Sequence, residues 1–408
     1  MEAAGMPFWQ ALTLSSIVGW VLASSAFDLT RRVRALMQPW VTRRVIVDTP
    51  WILRLQRIQH RFLDNMFSVM SCVVSVPFYT GFIPLLFWSG HSKLARQMIL
   101  LLAFCDFIGN SIKDVVSAPR PSSPPVRRVT ATKDEKENAM EYGLPSSHAL
   151  NTVCLSGYLL HYALTHGVQN GVTVAVGFAL VFTLVMIIGI GRIYLGMHSL
   201  IDVVSGISFG LVILAFWLTI HGYVDDFIIS GQNVTSFLAS LSLLLCFAYP
   251  TPEFPTPSFE YHTAFVGAAF GIVSGIRQTY FHFHHEGVPR IFSPQIPLLV
   301  FLGRMLVGIS TILMVKFCSK AIAKWLLPVM CNTLGIPIVS SCYVPALRGS
   351  DSSKSKSDGK QLGYLQKVIA FFPRKAYDVD TGIRFLQYAG LGWSVTDLAP
   401  SLFSHLNL

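Results

Sequence analysis

The chain has 408 residues, of which 52% are hydrophobic and 13% are charged. A soluble domain carries about a quarter charged residues, so this composition excludes a soluble globular protein and is typical of a multi-pass membrane protein. The net charge of +10 suits an anionic lipid surface or an anionic substrate, and it equally suits basic loops beside a membrane.

Apolar segments recur along most of the chain. A helix that crosses the bilayer core needs about 20 mostly apolar residues, and shorter ones are tolerated inside a bundle. The pattern predicts spans at residues 8–27, 66–88, 98–112, 150–166, 172–190, 203–220, 236–249, 263–276, 296–317 and 322–343. We therefore expect an all-α polytopic membrane bundle of eight to ten transmembrane helices, the second of them kinked by Pro77.

The N-terminal part combines an apolar and a basic segment. Residues 1–6 contain Glu2 and no Lys or Arg, so the first apolar segment is predicted to be a retained anchor and not a cleaved signal peptide. Residues 28–65 are rich in arginine and contain aromatic side chains. Beside a span, that mixture is more typical of a helix in the membrane interface than of a nucleic-acid contact, and no nucleic-acid partner is expected.

The C-terminal part predicts a linker followed by a more apolar tail. Residues 349–360 are polar and of low complexity, which is typical of a flexible linker. Residues 364–408 regain aromatic and leucine side chains, and they either dock on the bundle or form a weak final span. Seven cysteines show no zinc-ligand or redox spacing and are interpreted as structural thiols.

Three short motifs carry the polar chemistry of the central region: Lys113-x6-Arg120-Pro121, Pro145-Ser146-Ser147-His148 and Arg192-x5-His198-x3-Asp202. The first begins where the span 98–112 ends, the second opens the span 150–166, and the third begins where the span 172–190 ends. An even number of crossings separates the second motif from the third. All three are therefore predicted to lie on the same face of the membrane.

Lys113, Arg120 and Arg192 provide the positive charge that hydrolysis of a phosphate ester needs around the non-bridging oxygens. Arginine is well suited to this, because its planar fork can bind two phosphate oxygens at once. Any one of these cations could equally be a side chain that extends from a helix end to the interface. Their combination in one ordered set favours phosphate binding.

The second motif precedes an apolar helix, so its serines are natural N-caps. Capping alone would explain them. The same geometry also directs backbone N–H groups and the positive end of the helix at an anion. His148, one step into the turn, could then donate a proton to a departing oxygen.

His198 and Asp202 are four residues apart, which predicts one shared face at the start of a helix. A carboxylate there could accept a hydrogen bond from one ring nitrogen and leave the other free to attack phosphorus. A purely structural hydrogen bond inside the bundle is the alternative.

Taken in order, the motifs resemble the signature of the type 2 phosphatidic acid phosphatase superfamily, K-x6-RP, PSGH and SR-x5-H-x3-D. Two positions depart from it: Ser147 stands in place of Gly, which keeps the backbone N–H, and Gly191 stands in place of Ser, which removes one possible hydroxyl contact. Residues 118–126, 141–149 and 191–206 are similar to the sphingosine-1-phosphate phosphatase branch of that superfamily, and further spans after Asp202 also suit that branch.

The resemblance implies a membrane-embedded lipid phosphatase that hydrolyses sphingoid long-chain base 1-phosphates. It implies that His198 forms a phosphohistidine oriented by Asp202, and that His148 protonates the leaving alcohol and later helps to activate water. The phosphoryl group would be held by Lys113, Arg120, Ser146, Ser147 and Arg192. The family requires neither a cofactor nor a metal ion.

The resemblance also implies the endoplasmic reticulum membrane with a luminal site, whereas the arginines of residues 28–65 would draw that face toward the cytosol. We divide the chain into four parts. Residues 1–65 are the anchor and basic interfacial segment, 66–220 the catalytic transmembrane core, 221–345 additional transmembrane helices, and 346–408 the linker and tail. The sequence does not indicate an oligomeric state.

Two other enzymatic functions could use the same site: a lipid phosphatase of broader specificity and a lipid phosphotransferase. A non-catalytic transporter or scaffold would be expected to have lost His148, His198 or Asp202, and all three are present.

Three features outside the motifs have both functional and ordinary explanations. Glu141 could meet an ammonium group of the substrate, although a solvated loop charge is more common. Arg304 interrupts an apolar run, where it could be functional or pair with a polar side chain such as Asp106. The histidines of residues 282–285 could bind a metal ion, but further ligands are lacking nearby.

Overall fold

The computed structural model describes residues 5–130, 132–167, 170–340 and 377–408. Its helices are α1 (Phe8–Ala26), α2 (Leu29–Leu55), α3 (Arg61–Cys72), α4 (Val76–Trp88), α5 (Ser92–Val116), α6 (Lys133–Asn138), α7 (Ser147–His166), α8 (Gly171–Tyr194), α9 (Leu200–Ser230), α10 (Val234–Ala248), α11 (Ser258–Thr279), α12 (Leu298–Thr333), α13 (Val379–Trp393) and α14 (Ala399–His405). Short π-helical turns follow α11 and α13. The strands β1 (Ile338–Val339) and β2 (Tyr377–Asp378) form one short parallel pair. The predicted all-α fold is confirmed.

Several helices are suited to a membrane. Within the described residues, α8, α9 and α12 are each long and apolar enough to cross one. Two bent pairs meet the same criterion when each pair is taken as one span: α1 with α2, bent by 68°, and α3 with α4, bent by 51°. The chain is thus a multi-pass membrane protein. Counting α5, α7, α10 and α11 as further crossings stays a prediction.

Residues 296–343 do not form the two predicted spans. One helix, α12, runs for 36 residues from Leu298 to Thr333, and residues 341–343 lie outside the described residues. Polar residues such as Ser319 and Lys320 separate two apolar runs in the sequence, but neither Gly nor Pro interrupts the backbone there. Serine and lysine both fit within a helix, so the change in polarity does not end it.

The kink predicted at Pro77 is a break between two helices. Ser75 caps α4 by accepting a hydrogen bond from the backbone N–H of Phe78 at 3.4 Å, and Pro77 lies in the first turn. Proline is tolerated there because its missing N–H would have no helical partner in any case. Pro77 therefore helps to start α4.

Two glycines bring α7 and α9 close together. A Cβ atom on Gly206 would lie 2.6 Å from the carbonyl oxygen of Ser146, and one on Gly210 would lie 2.9 Å from Cβ of Val153. Small residues four positions apart allow such an approach between membrane helices. As a result, the start of α7 lies against the first turns of α9, and the N–H of Ser146 donates to the carbonyl oxygen of Asp202 at 2.9 Å.

Helix α2 turns away from α1 and packs over the loops at the end of α5. A small core joins these elements through Val41, Val45, Val116, Ala118 and Leu144. Asp48 of α2 also accepts a hydrogen bond from the N–H of Ile201 at 3.0 Å, at the start of α9. The basic N-terminal segment thus lies beside the motif loops. The predicted domain boundaries stay predictions.

The C-terminal tail docks on the bundle, one of the two predicted outcomes. Helix α13 packs on α11, where a Cβ atom on Gly271 would overlap the carbonyl oxygen of Ala389. Arg384 of α13 donates to Glu260 of α11 at 2.6 Å. The predicted linker at residues 349–360 lies outside the described residues.

Candidate active site

The three motifs meet at one end of the bundle. Helices α5 and α8 end there, while α7 and α9 begin there, so side chains from four helix ends converge. They line a cavity of about 50 Å³. Six of the eight predicted site residues line it: Lys113, Arg120, Ser147, His148, Arg192 and His198.

Lys113 is held by a carboxylate that comes from the chain itself. Its Nζ donates to Oε2 of Glu141, and both side chains are almost completely buried. The other carboxylate oxygen of Glu141 accepts from the hydroxyl of Ser258 at 3.4 Å. Glu141 is therefore not a solvated loop charge. It occupies the position beside the lysine where an anionic group of a substrate would bind.

Arg120 connects two of the motif loops. Its guanidinium donates to the carbonyl oxygens of Glu141 at 2.8 Å and Asn138 at 2.7 Å, and also to that of Met197. Burial lowers the pKa of Arg120 to about 10, so the side chain remains charged at neutral pH. It fixes the loop before α7 to the loop before α9 and brings positive charge to the cavity.

Arg192 is completely buried at the end of α8. One of its nitrogens, Nη1, lies 3.4 Å from the hydroxyl of Ser71 and 4.0 Å from a carboxylate oxygen of Glu135. Within the described residues, Nε and Nη2 have no hydrogen-bond partner. Because a buried guanidinium N–H is costly to leave unpaired, these two donors favour binding of an oxyanion.

The predicted N-cap is Ser146. Its hydroxyl accepts from the N–H of Ala149 at 3.5 Å, and its side chain is not part of the cavity lining. Ser147 and His148 follow as the first helical residues and do line the cavity. The helix start therefore presents its positive end to the same space as the three cations.

His198 and Asp202 do not share a helical face, because α9 begins only at Leu200. Ser199 is the N-cap, and its hydroxyl accepts from the N–H of Asp202 at 3.4 Å. In return, Oδ2 of Asp202 accepts from the N–H of Ser199 at 2.8 Å. This capping box starts the helix after Ser199, so His198 lies just outside it. The shared face predicted for the pair is wrong, although the two side chains are neighbours.

The ring of His198 lies between the guanidinium of Arg120 and the carboxylate of Asp202, and it forms a hydrogen bond with Arg120 alone among the described residues. Nη1 of Arg120 is 3.0 Å from Nε2, and Oδ2 of Asp202 is 3.7 Å from Nδ1. A guanidinium can only donate, so Nε2 accepts and the ring proton resides on Nδ1, on the side of Asp202. Burial, followed by the charges of Arg120 and Arg192, keeps the pKa of His198 well below its usual range. The ring is therefore neutral at pH 7, with a lone pair on Nε2.

A second, apolar cavity of about 40 Å³ adjoins the first. The two share Val76, Tyr79 and Phe265, and the second extends between α4, α5, α11 and α13. Its lining includes Ile83 and Ile99 and is almost entirely apolar. Apolar side chains therefore lie directly beside the polar cavity.

Several cavity residues were missed in the sequence analysis. Asp106, Asn110 and Asn151 line it in addition to the motif residues. The spacing of Asp106, Asn110 and Lys113 indicates one face of a helix, and that signal was present in the sequence.

Arg304 and the histidines of residues 282–285 lie outside the cavity. Arg304 does not pair with Asp106, since it donates to the carbonyl oxygens of Trp88 at 3.1 Å and Leu408 at 2.9 Å. Among the described residues, no group of three or more His, Cys, Asp or Glu side chains could hold a metal ion.

The departure at Gly191 has a packing explanation. A Cβ atom there would lie 2.7 Å from a ring carbon of Phe67 on α3. A serine at this position would contact that ring, and Gly191 is not part of the cavity lining. Because position 191 lies outside the cavity lining, glycine in place of serine removes no hydroxyl contact with a bound phosphate in this structure.

Comparisons with known proteins identify a family and several relatives of the chain. Residues 94–226 match the family model described as PAP2 superfamily. The chain is 62% identical to lipid phosphate phosphatase delta of Arabidopsis thaliana, over 100% of this chain and 98% of that protein. It is 26% identical to a dihydrosphingosine 1-phosphate phosphatase of Schizosaccharomyces pombe, over 93% of each chain. It is 22% identical to human sphingosine-1-phosphate phosphatase 2, over 86% of this chain and 80% of that protein. No solved structure matches the chain.

Proposed function

The chain belongs to the PAP2 superfamily and is a lipid phosphate phosphatase, a membrane-embedded phosphoric monoester hydrolase, and from this premise we propose that its substrates are sphingoid long-chain base 1-phosphates. More distant relatives support this substrate, since they are named for sphingosine 1-phosphate and dihydrosphingosine 1-phosphate. The observation that carries the proposal is a neutral histidine at the edge of a buried, cation-lined cavity that adjoins an apolar one.

In the first step of the proposed reaction, Arg120 releases Nε2 of His198, and the freed lone pair attacks phosphorus. Burial and the nearby cations keep the pKa of His148 well below its usual range in the empty enzyme, so the ring takes up a proton from the bound phosphate monoanion. The P–N bond forms as the bond to the lipid oxygen breaks, and His148 passes this proton to that departing oxygen. Lys113 and Arg192 neutralise the non-bridging oxygens, with Arg120 holding the loops around them. The Nδ1 proton remains on the side of Asp202, whose negative charge stabilises the phosphorylated imidazolium.

In the second step, water attacks the phosphohistidine. His148, again neutral, accepts a proton from that water, the P–N bond breaks, and inorganic phosphate leaves with that proton. His198 returns to its neutral form with the lone pair on Nε2. In both steps, the positive end of α7 at Ser147 attracts the phosphate charge. Ser146 stabilises this helix start as its N-cap.

The proposal is tested with purified protein and a panel of lipid phosphates in EDTA. We expect release of phosphate to be greatest for sphingoid phosphates and to be abolished in His198→Ala. His166→Ala, at an exposed position at the end of α7, is the matched control and should behave as wild type. Phosphate release by a correctly folded His198→Ala variant would reject the assigned nucleophile.

A broader substrate range is the second candidate, because the Arabidopsis relative is named for lipid phosphates in general. In the same panel, equal kcat/KM values for sphingoid phosphates, phosphatidate and lysophosphatidate would favour it. The His198 chemistry would be unchanged in that case.

We also propose that the protein resides in the endoplasmic reticulum with the site facing the lumen. The family resemblance supports this, and the arginines of α2 oppose it. Fluorescence microscopy with an organelle marker tests the location, and protease protection of a tag in the loop between α9 and α10 tests the orientation.

A further inference from the structure

Along one face of helix α5, the side chains change from basic to acidic to apolar. Lys113, Asp106 and Ile99 are spaced by seven residues, so their side chains point in nearly the same direction. Successive members are about 10 Å apart along the axis. Lys113 and Asp106 line the polar cavity and Ile99 lines the apolar one. A ligand that follows this face from the site inward meets a cation, then a carboxylate, then hydrocarbon.

Asp106 has an acceptor that the protein leaves unused. The residue is 9% exposed, and Oδ1 accepts from Nδ2 of Asn110 at 2.8 Å. Within the described residues, Oδ2 is buried and has no hydrogen-bond partner. Lys113, on the same helix face, is paired with Glu141. A buried carboxylate oxygen without a partner is costly, which favours a ligand that brings a donor or a positive charge.

Asn151 on α7 presents a second unused acceptor. It is 7% exposed, lines the same cavity, and follows His148 by about one helical turn. Its Oδ1 is buried and has no hydrogen-bond partner among the described residues. Helix α7 starts at the site whereas α5 ends there, so Asn151 and Asp106 both lie inward of the cations.

The position of these acceptors matches one kind of substrate. In a sphingoid base phosphate, the carbon next to the phosphate ester carbon bears an ammonium group, and the following carbon bears a hydroxyl. Both are donors, and both lie between the phosphate and the long chain. In the empty enzyme, Lys113 and Ser258 engage the two carboxylate oxygens of Glu141, whereas Asp106 and Asn151 each present a buried acceptor that has no partner among the described residues.

The geometry points to Asp106 and Asn151 as a specificity subsite, in which Asp106 binds the ammonium group of the substrate and Asn151 accepts a hydrogen bond from its hydroxyl. This inference rests on the proposed sphingoid substrate and names the residues that select it. Phosphatidate and lysophosphatidate carry no ammonium group, so they would leave the Asp106 carboxylate buried and unpaired.

The first experiment compares two single-chain substrates, sphinganine 1-phosphate and lysophosphatidate, in wild type and in Asp106→Asn. The asparagine keeps the shape and can still accept from Asn110, but it loses the charge. We expect the ratio of kcat/KM values, sphinganine 1-phosphate over lysophosphatidate, to fall by about 10- to 100-fold, as for loss of one charged hydrogen bond. Asp226→Asn, at an exposed position of α9, should leave the ratio unchanged. An unchanged ratio in Asp106→Asn would overturn the assignment.

A second experiment needs no substitution, so misfolding cannot obscure it. Wild-type enzyme is assayed with sphinganine 1-phosphate and with its N-acetylated form, which lacks the positive charge. We expect at least a tenfold lower kcat/KM for the acetylated substrate. Equal values for the two would exclude recognition of an ammonium group by any residue of the site.

The role of Asn151 is tested in the same way with a substrate that lacks the hydroxyl. In wild type, we expect a lower kcat/KM for 3-deoxysphinganine 1-phosphate than for sphinganine 1-phosphate. In Asn151→Ala, we expect the two kcat/KM values to be equal. Full discrimination in the variant would overturn the assignment of Asn151.

These outcomes are distinguishable from failure of the proposed function. If wild type prefers lysophosphatidate or phosphatidate, the sphingoid substrate is wrong, whatever the variants do. If wild type prefers sphinganine 1-phosphate and Asp106→Asn keeps that preference, only the subsite is wrong.

Discussion

The carboxylate of Asp202 serves two neighbours at once. Its Oδ2 accepts from the N–H of Ser199 at 2.8 Å and lies 3.7 Å from Nδ1 of His198. The first contact caps α9, and the second provides negative charge on the side of the ring proton. One residue therefore links the start of the helix to the orientation of the proposed nucleophile.

Asp202→Asn separates these two effects. An amide oxygen can still cap the helix, but the variant loses the charge that stabilises a phosphorylated imidazolium. We expect kcat to fall by about 10³-fold or more, by analogy with the loss of the aspartate in a catalytic triad. Thermal unfolding should change little, and this is checked by differential scanning fluorimetry beside the exposed control Asp226→Asn. A large drop in unfolding temperature would mean that Asp202 is mainly structural.

The low pKa of His198 keeps the proposed nucleophile in its reactive neutral form below pH 6.5. Burial and nearby cations disfavour its charged form, so the ring stays neutral as the pH falls through 6.5, the usual histidine value. We expect the enzyme-dependent acid limb of kcat/KM to lie below pH 6.5. The ionisation of the lipid phosphate is measured separately by ³¹P NMR and subtracted. A limb above pH 6.5 after that correction would contradict a neutral His198 as nucleophile.

The predicted cavity residues Lys113, Arg120 and His198 were accessible from the sequence because motif order and span parity require no knowledge of packing. Glu141 was not, since nothing local distinguishes a carboxylate that turns inward from one in solvent. Its position depends on cations that are 28 and 21 residues away along the chain.

Among the secondary-structure elements, the contact of α7 with α9 decides whether two of the motifs can meet. Gly206 permits the close approach, and its would-be Cβ faces the backbone of Ser146. The sequence shows the glycines of α9, but it does not show which helix they contact. Residue spacing shows that a small-residue face exists, whereas the partner depends on the whole arrangement of helices.

Gly206→Val should therefore push α7 and α9 apart. We expect a loss of about 1–3 kcal/mol in stability from the overpacked contact, with a disproportionate loss of kcat because His148 and His198 separate. Gly222→Val on the same helix is the matched control, since a Cβ there meets nothing within 4 Å. Activity per folded molecule is compared after size-exclusion chromatography. Similar behaviour of the two variants would contradict this role of Gly206.

For the whole molecule, the C-terminal tail completes a wall of the apolar cavity. Tyr388, Leu391 and Val395 line that cavity together with residues from α4 and α11. The sequence left docking and spanning equally open for this segment, because its apolar pattern is short and its partner α11 lies more than a hundred residues earlier.

Gly271→Val tests this arrangement, since its side chain would collide with the backbone of α13 at Ala389. We expect a higher KM for long-chain substrates, with a smaller effect on a short-chain, water-soluble analogue. Gly222→Val again serves as the control. An equal change in KM for both chain lengths would show that the tail does not contribute to chain binding.

The pairing of Glu141 with Lys113 gives the empty enzyme a built-in counterion. The buried ammonium group of Lys113 is therefore neutralised by Glu141 before any ligand binds. We expect a lipid phosphate to replace the Glu141 carboxylate as the partner of Lys113. We therefore expect the affinity for the phosphate group to be weaker than the number of cations alone suggests. We also expect the reverse exchange at the end of each turnover to help to expel inorganic phosphate.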